Sequence, residues 1–208
     1  MVTPLFYGLR KAFPQARIFA GVGKWANELL VGNPDIDEIL PTNAPWHNKR
    51  NCRFPANSPR TFLEGLLYSL LSSEARNLTK KRISHGIDVL GSRQGSWLLG
   101  RARIPHRYGV RGYAGGDGWC EDCVSFRENR QVSESALAFL PLLGVKNLPK
   151  VEPRPQIFLC EEEEIKAEER WGNRCTPGAL RIIIAHGAGF PEKLWGDENF
   201  SRLAYLLL

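Results

Sequence analysis

The sequence predicts an α/β protein built on parallel strands, and three features support this fold class. Short apolar segments bounded by Gly or Pro alternate with segments of helical periodicity, as they do in repeated βαβ units. Of the 208 residues, 43% are hydrophobic and 24% are charged, which is the composition of a globular chain with a sizeable core. No run approaches the ~20 apolar residues that a membrane-spanning helix requires.

The first forty residues predict two rounds of helix followed by strand. Val2–Phe13 has Leu and Phe at helical spacing, and Pro14 ends this helix. Ala16–Val22 is short and apolar, as expected of a buried parallel strand. Trp25–Val31 is a second helical segment, and Ile36–Leu40 forms the next strand.

The middle of the chain continues the alternation after a loop at residues 41–60, which is rich in Pro and Asn. A Gly-rich and polar loop is expected at about residues 113–132. The predicted elements are a helix at Phe62–Ser72, a strand at Gly86–Leu90, a helix at Gln94–Ala102, a strand at Arg107–Val110 and a helix at Ser133–Leu143.

Three prolines between residues 149 and 155 indicate a linker, so we divide the chain into domains 1–150 and 151–208. The second domain opens with a charged helix from Glu161 to about Trp171. Leu180–Ala185 is the most apolar predicted strand of the sequence. A loop follows it, and a further helix begins at about Asn199.

Positive charge is concentrated in one block of the chain. Residues 45–111 hold 13 Lys and Arg against 3 Asp and Glu, whereas the whole chain has a net charge of +6. The block is either a solvated face or a surface for an anionic partner. Few aromatic residues alternate with these charges, so a base-stacking platform for nucleic acid is the weakest interpretation.

Five cysteines and the absence of a basic-then-apolar leader predict a reduced, cytoplasmic protein without a disulfide framework. Cys120 and Cys123 form a lone C-x-x-C in a predicted loop. Zinc needs two further ligands, and a redox motif opens a helix, so we expect two reduced loop cysteines. Gly21–Lys24 lacks the leading Gly of a phosphate loop, and Trp25 replaces its Ser or Thr.

The segment after the Leu180–Ala185 strand is the most informative for function. Its candidate ligand residues are His186, Gly187, Ala188, Gly189 and Lys193. Small residues let backbone N–H groups approach an anion, and a helix N-terminus and a lysine add positive charge. The pattern predicts a diphosphate site, although many strand-to-helix turns carry glycine.

Several segments, in this order, resemble the ADP-heptose:lipopolysaccharide heptosyltransferases, which are glycosyltransferase family 9. The donor-site motif of that family resembles Ile184–Gly189, Glu192–Trp195 and Asn199–Ala204. Its other motifs resemble Thr3–Ile18, Asn33–Ile39, Ile87–Arg103, Arg107–Gly109 and Glu134–Val145. The resemblance covers nearly the whole chain.

The resemblance implies the glycosyltransferase-B fold, in which two Rossmann-like domains face each other across a cleft. Residues 1–150 would be the acceptor-side domain without its first strand. Residues 151–208 would be the linker and first βα unit of the donor-binding domain. The expected catalytic Asp lies upstream of Met1, so no catalytic residue is expected in the chain. Thr3 and Arg93 are the expected acceptor-side residues.

The implied activity is inverting transfer of a heptose or related sugar from a nucleotide sugar, ADP-heptose, to a lipopolysaccharide core. No cofactor and no metal are implied, and no nucleic-acid partner. The chain is expected in the cytoplasm, with peripheral contact at the inner membrane. The alternative is a non-catalytic, truncated remnant that binds glycolipid or nucleotide without turnover.

Overall fold

The structure, a computed structural model, describes residues 1–46, 53–55, 58–146, 151–172, 178, 180, 182–188 and 191–207. It divides into two compact units, Met1–Phe158 and Leu159–Leu208. In the described part of the chain, no helix combines the length and apolar character that crossing a bilayer requires.

The first unit opens with two helix–strand pairs, as the sequence predicts. A proline in the first turn and two basic residues in the last turn suit the first helix. The strands pair in parallel, with Ala20 opposite Ile39. The second helix is shorter than the predicted Trp25–Val31. The elements are α1 (Thr3–Ala12), β1 (Phe19–Val22), α2 (Lys24–Asn27) and β2 (Glu38–Pro41).

Side-chain hydrogen bonds hold the turn that leads into β2. The Asn33 side-chain oxygen accepts a hydrogen bond from the Asp35 N–H at 2.9 Å. The Asp37 carboxylate accepts one from the Ile18 N–H and pairs with Arg10. The residues of the Asn-Pro-x-Ile-Asp motif therefore have a structural role here.

Two helices, α3 (Pro59–Leu71) and α4 (Ser73–Lys80), are present where the sequence predicts a helix only at Phe62–Ser72. Ser72 has extended backbone, with ψ of 147°, and separates them. Its N–H donates to the Tyr68 carbonyl, while its Oγ accepts from the Ala75 N–H at 3.0 Å. One serine thus ends α3 and caps α4. Because α4 is polar in composition, the sequence did not predict it as a separate helix.

The rest of the unit is a three-stranded parallel sheet with its helices. Its elements are β3 (His85–Ile87), α5 (Arg93–Arg101), β4 (His106–Arg111), a 3₁₀ turn (Asp117–Trp119), β5 (Asp122–Ser125), α6 (Val132–Leu137) and α7 (Phe139–Leu142). The strand order is β3-β4-β5. The expectation of a loop at residues 122–125 was wrong, because this segment pairs with β4 as a strand. Its four residues are too few to show a pattern of alternating apolar and polar side chains.

Two apolar clusters form the core of this unit. Helices α1, α6 and α7 cover one face of the β3-β4-β5 sheet, with Leu5, Tyr108, Val124 and Phe139 at the centre. A second cluster joins β2 to α4 and α5 through Leu40, Leu78, Leu98 and Ile104. Helices thus pack beside parallel strands, so the α/β fold class is confirmed.

The second unit contains α8 (Glu161–Gly172), a 3₁₀ turn (Pro191–Lys193) and α9 (Asp197–Leu207). None of its described residues is buried. The predicted strand Leu180–Ala185 is not formed at its described positions 180 and 182–185. A parallel strand needs a neighbour for its backbone hydrogen bonds, and the described residues of this unit supply none.

Candidate functional site

The carboxyl edge of the β3-β4-β5 sheet begins with Asp88, which directly follows β3. One carboxylate oxygen accepts the Leu90 N–H at 3.0 Å, and the other accepts the Ser92 hydroxyl at 3.3 Å. Burial raises the pKa of Asp88, and these hydrogen bonds oppose the rise. Ser92 in turn caps α5 by accepting the Gly95 N–H.

Glycines allow this edge to pack closely. A Cβ on Gly95 would lie 2.2 Å from the Asp88 carboxylate, and one on Gly91 would lie 2.5 Å from Cβ of Val110. Gly91 also has φ of +66°, a conformation that other residues rarely adopt. Only glycine therefore fits at these two positions without moving the strand ends.

The loop after β4 lies against the start of α5. The Gly116 N–H donates to the Gly91 carbonyl, and the Arg93 N–H donates to the Ala114 carbonyl. The Arg93 side chain is exposed, and its guanidinium lies 5.8 Å from the ring centroid of Phe62. The predicted acceptor-side arginine thus stands at the sheet edge where open α/β sheets bind ligands.

Two aromatic rings extend the same edge. Tyr113 follows β4, Phe126 follows β5, and their ring centroids are 4.6 Å apart. Both side chains are exposed, as is Arg111 at the end of β4. This pair was not predicted from the sequence, because residues 113–132 have the Gly-rich and polar composition of a loop. Their position just after strand ends was the signal that could have found them.

Thr3, the other predicted acceptor-side residue, is buried at the start of α1. Its hydroxyl oxygen accepts a hydrogen bond from the Gln156 N–H at 2.8 Å. No hydrogen bond in the described residues joins Thr3 to Arg93. The structure therefore gives Thr3 an anchoring contact with the chain itself.

Cys120 and Cys123 both place Sγ beside Gly109, where a side chain of that residue would project. A Cβ on Gly109 would be 2.7 Å from Sγ of Cys120 and 3.8 Å from Sγ of Cys123. Both are free thiols, but Cys123 belongs to β5 and is buried, not exposed in a loop. Within the described ranges, no group of three or more His, Cys, Asp or Glu is arranged to hold a metal.

The predicted donor residues His186, Gly187, Ala188 and Lys193 are described and exposed in the second unit, whereas Gly189 lies outside the described residues. The His186 ring lies edge-on to Phe200 in α9, at 6.2 Å between centroids. A Cβ on Gly187 would meet no atom of the described residues within 4 Å, so none of them blocks a ligand from the backbone there.

The start of α9 differs from the anion-binding helix terminus that the sequence analysis expected. Its first turn carries Asp197 and Glu198, whose carboxylates already complement the helix dipole. The Asn199 side chain donates to the Trp195 carbonyl at 2.6 Å and fastens the loop to the helix. With carboxylates at this helix terminus, Lys193 and the loop N–H groups are the remaining predicted ligands for an anion.

Comparisons with known proteins give matches among solved structures. No family model matches the chain, and no curated protein matches it. A glycosyl transferase family 9 structure from Veillonella parvula superposes with a TM-score of 0.70 at 21% identity, over 99% of this chain and 55% of its own. The E. coli ADP-heptose lps heptosyltransferase II gives 0.67 at 21% identity, over 99% of this chain and 56% of its own.

A second E. coli heptosyltransferase, solved with ADP-2-deoxy-2-fluoro heptose, gives a TM-score of 0.65 at 16% identity, over 99% of this chain and 60% of its own. The chain thus spans little more than half the length of these enzymes. The predicted resemblance is confirmed for the fold: the chain is folded like the corresponding part of the family 9 glycosyltransferases.

Proposed function

We propose that this chain is the acceptor-side part, with the beginning of the donor-side part, of an inverting glycosyltransferase that transfers heptose to a lipopolysaccharide core. The observation that carries the proposal is the carboxyl edge of the β3-β4-β5 sheet. There the Arg93 N–H donates to the Ala114 carbonyl, the Phe126 N–H donates to the Arg111 carbonyl, and the Tyr113–Phe126 ring pair is exposed. Arginines bind phosphate and carboxylate groups, and aromatic faces pack on sugar rings.

On the donor side, we assign the ADP-heptose diphosphate to the segment that holds His186, Gly187, Ala188, Gly189 and Lys193. The open backbone at Gly187 and the exposed loop support this assignment. Lys193 supplies a positive charge, and backbone N–H groups supply directed donors. In this proposal these groups neutralise the leaving diphosphate without a metal ion.

The proposed reaction is a single displacement. A base takes the proton from an acceptor hydroxyl, the hydroxyl oxygen attacks the anomeric carbon, and ADP leaves with the electron pair of the broken C–O bond. Stabilising the charge that grows on ADP is the contribution that Lys193 makes to the rate. We assign the role of base to no residue of the chain.

The acceptor places the reaction at the cytoplasmic face of the inner membrane. A lipopolysaccharide core is carried by a lipid and bears phosphate and acidic sugars. Its negative charge complements the block at residues 45–111, where 13 Lys and Arg stand against 3 Asp and Glu. We therefore propose peripheral contact with that membrane.

Calorimetric titration of the 208-residue chain tests this function, with ADP-heptose and heptose-deficient lipopolysaccharide core as separate ligands. We expect both to bind, and UDP-glucose, the control donor, to bind more weakly. The proposal would be contradicted if ADP-heptose or the lipopolysaccharide core failed to bind. Release of ADP from a mixture of the chain, ADP-heptose and the lipopolysaccharide core is measured separately. It depends on the catalytic base as well as on the two binding sites.

A further inference from the structure

Helix α3 presents its polar side to the protein and its apolar side to solvent. Thr61, Gly65 and Ser69, spaced four residues apart, are its buried residues. Its five leucines at 63, 66, 67, 70 and 71 are between 37% and 66% exposed. A helix of a globular protein normally buries its apolar face and exposes its polar face. We name these five side chains the leucine stripe.

Aromatic side chains continue the leucine stripe at its N-terminal end. Phe62 meets the Trp97 ring edge-on at 4.8 Å between centroids, and Trp97 meets Trp119 at 5.7 Å. The Trp119 side chain is more than half exposed. Leucines flanked by exposed tryptophan are typical of surfaces that lie in the headgroup region of a bilayer.

Positive side chains outnumber carboxylates beside the leucine stripe. Arg60 precedes Leu63 and Leu67 by three and seven residues, so it lies on the same face of α3. Arg93 contacts Phe62, and the exposed Arg53 precedes the helix. Glu64 is the one carboxylate of α3. A second copy of the chain would oppose like charges across such a face, whereas an anionic bilayer complements it.

We propose that the leucine stripe docks the protein on an anionic phospholipid bilayer, with the leucines among the acyl chains and Arg53, Arg60 and Arg93 at the phosphates. The inference deepens the proposed function and rests on it for the identity of the membrane. Because Arg93 contacts both the loop after β4 and Phe62, the docking surface adjoins the proposed acceptor site. A lipid-borne acceptor would reach that site from the surface on which the protein lies.

Co-sedimentation of the 208-residue chain tests this surface, with vesicles of equal parts phosphatidylethanolamine and phosphatidylglycerol. We expect binding that falls as salt is added and is weak with phosphatidylcholine vesicles. Leu63→Gln with Leu67→Gln should weaken binding to the vesicles at least about tenfold. The variant lacks two apolar side chains that would otherwise move from water into the bilayer. The control is Leu29→Gln with Val31→Gln, two side chains that are 52% and 55% exposed elsewhere. It should bind like the unchanged chain.

Binding by the leucine variant equal to that of the unchanged chain would overturn the proposal, as would a dimer that this variant dissociates while vesicles remain unbound. Vesicles with brominated acyl chains provide a readout that needs no substitution in α3. They should quench the tryptophan fluorescence of the unchanged chain, and Trp119→Phe should lose part of the quenching. Absence of quenching would also overturn it. The vesicles contain no lipopolysaccharide or nucleotide, so failure here is distinct from failure of the sugar-transfer proposal.

Discussion

Arg10 in α1 places a guanidinium nitrogen 2.7 Å from the carboxylate of Asp37, at the entry to β2. The same carboxylate oxygen accepts the Ile18 N–H at 2.6 Å, just before β1. One side chain thus joins the first helix to both strands of the two-stranded sheet. These contacts hold the pKa of Asp37 below its ordinary value of 3.8, the backbone hydrogen bond contributing most and Arg10 next.

Asp37→Asn should lower the free energy of unfolding near neutral pH by about 1 kcal/mol, a magnitude typical of a part-exposed charged hydrogen bond. The stabilisation from a lowered pKa is fully present above pH 3.8 and is lost as the pH falls through the folded-state value. Urea titrations at several pH values measure it. The difference between the two proteins should shrink in acid, and the exposed control Glu128→Gln should show neither effect.

Gly109→Ala should destabilise the first unit by about 1–2 kcal/mol, because the added methyl group would meet Sγ of Cys120 at 2.7 Å. Cys120→Ala in the same chain should recover most of the loss. Gly100→Ala, at a helical position with no atom within 4 Å, is the control and should stabilise by about 0.5–1 kcal/mol. Thermal unfolding of the unchanged chain and of these three variants measures the differences. Equal losses with and without Cys120→Ala would contradict the contact.

The three cysteines that the structure describes should react with iodoacetamide in the order Cys160, Cys120, Cys123. Cys160 is exposed, Cys120 is half-buried and Cys123 is buried. Burial, then the neighbouring Cys120, raises the pKa of the Cys123 thiol and lowers its thiolate fraction. This replaces the expectation from sequence that both C-x-x-C thiols are loop residues. Peptide mass spectrometry follows the rates, and modification of Cys123 as fast as Cys160 would contradict the structure.

Lys193→Ala should weaken binding of ADP-heptose about tenfold to a hundredfold, since a hydrogen bond to a charged group contributes roughly 1.5–3 kcal/mol. Lys193→Arg should retain part of the affinity, because the charge stays while its geometry changes. Lys166→Ala, an exposed lysine of α8 paired with Glu162, is the control in the same unit. If Lys193→Ala leaves the affinity for ADP-heptose unchanged, the assignment of the diphosphate to this loop is wrong.

Arg93→Gln should weaken binding of the lipopolysaccharide core about tenfold and leave ADP-heptose affinity unchanged, because the two ligands are assigned to different units. Arg101→Gln, at the other end of α5 and also exposed, is the matched control. Titration of each variant with both ligands measures the split. An equal loss for donor and acceptor would show that Arg93 supports the fold instead of binding the acceptor.

The sequence predicted α1, β1 and β2 because each is a periodic segment closed by Gly or Pro. It could not predict β5, whose four residues Asp122–Ser125 become a strand only by pairing with β4. The sequence also could not predict which face of α3 packs against the protein. Periodicity shows that a helix has an apolar face, but only packing decides that Gly65 and Ser69 turn inward while the leucines turn out.

The candidate site shows the same division. Arg93 and the loop at His186 could be predicted as candidates because they belong to motifs that are contiguous in sequence. Tyr113 and Phe126 are separated by a turn and a strand, and only the parallel register of β4 with β5 brings their rings together. Long-range pairing of this kind leaves no local pattern in the chain.

The hydrogen bond from Gln156 to Thr3 brings the two ends of the Met1–Phe158 unit together. Segments at the boundary of a compact unit fray first unless a contact ties them down. This hydrogen bond ties the segment before Phe158 to the start of α1, so neither can leave the unit without breaking it.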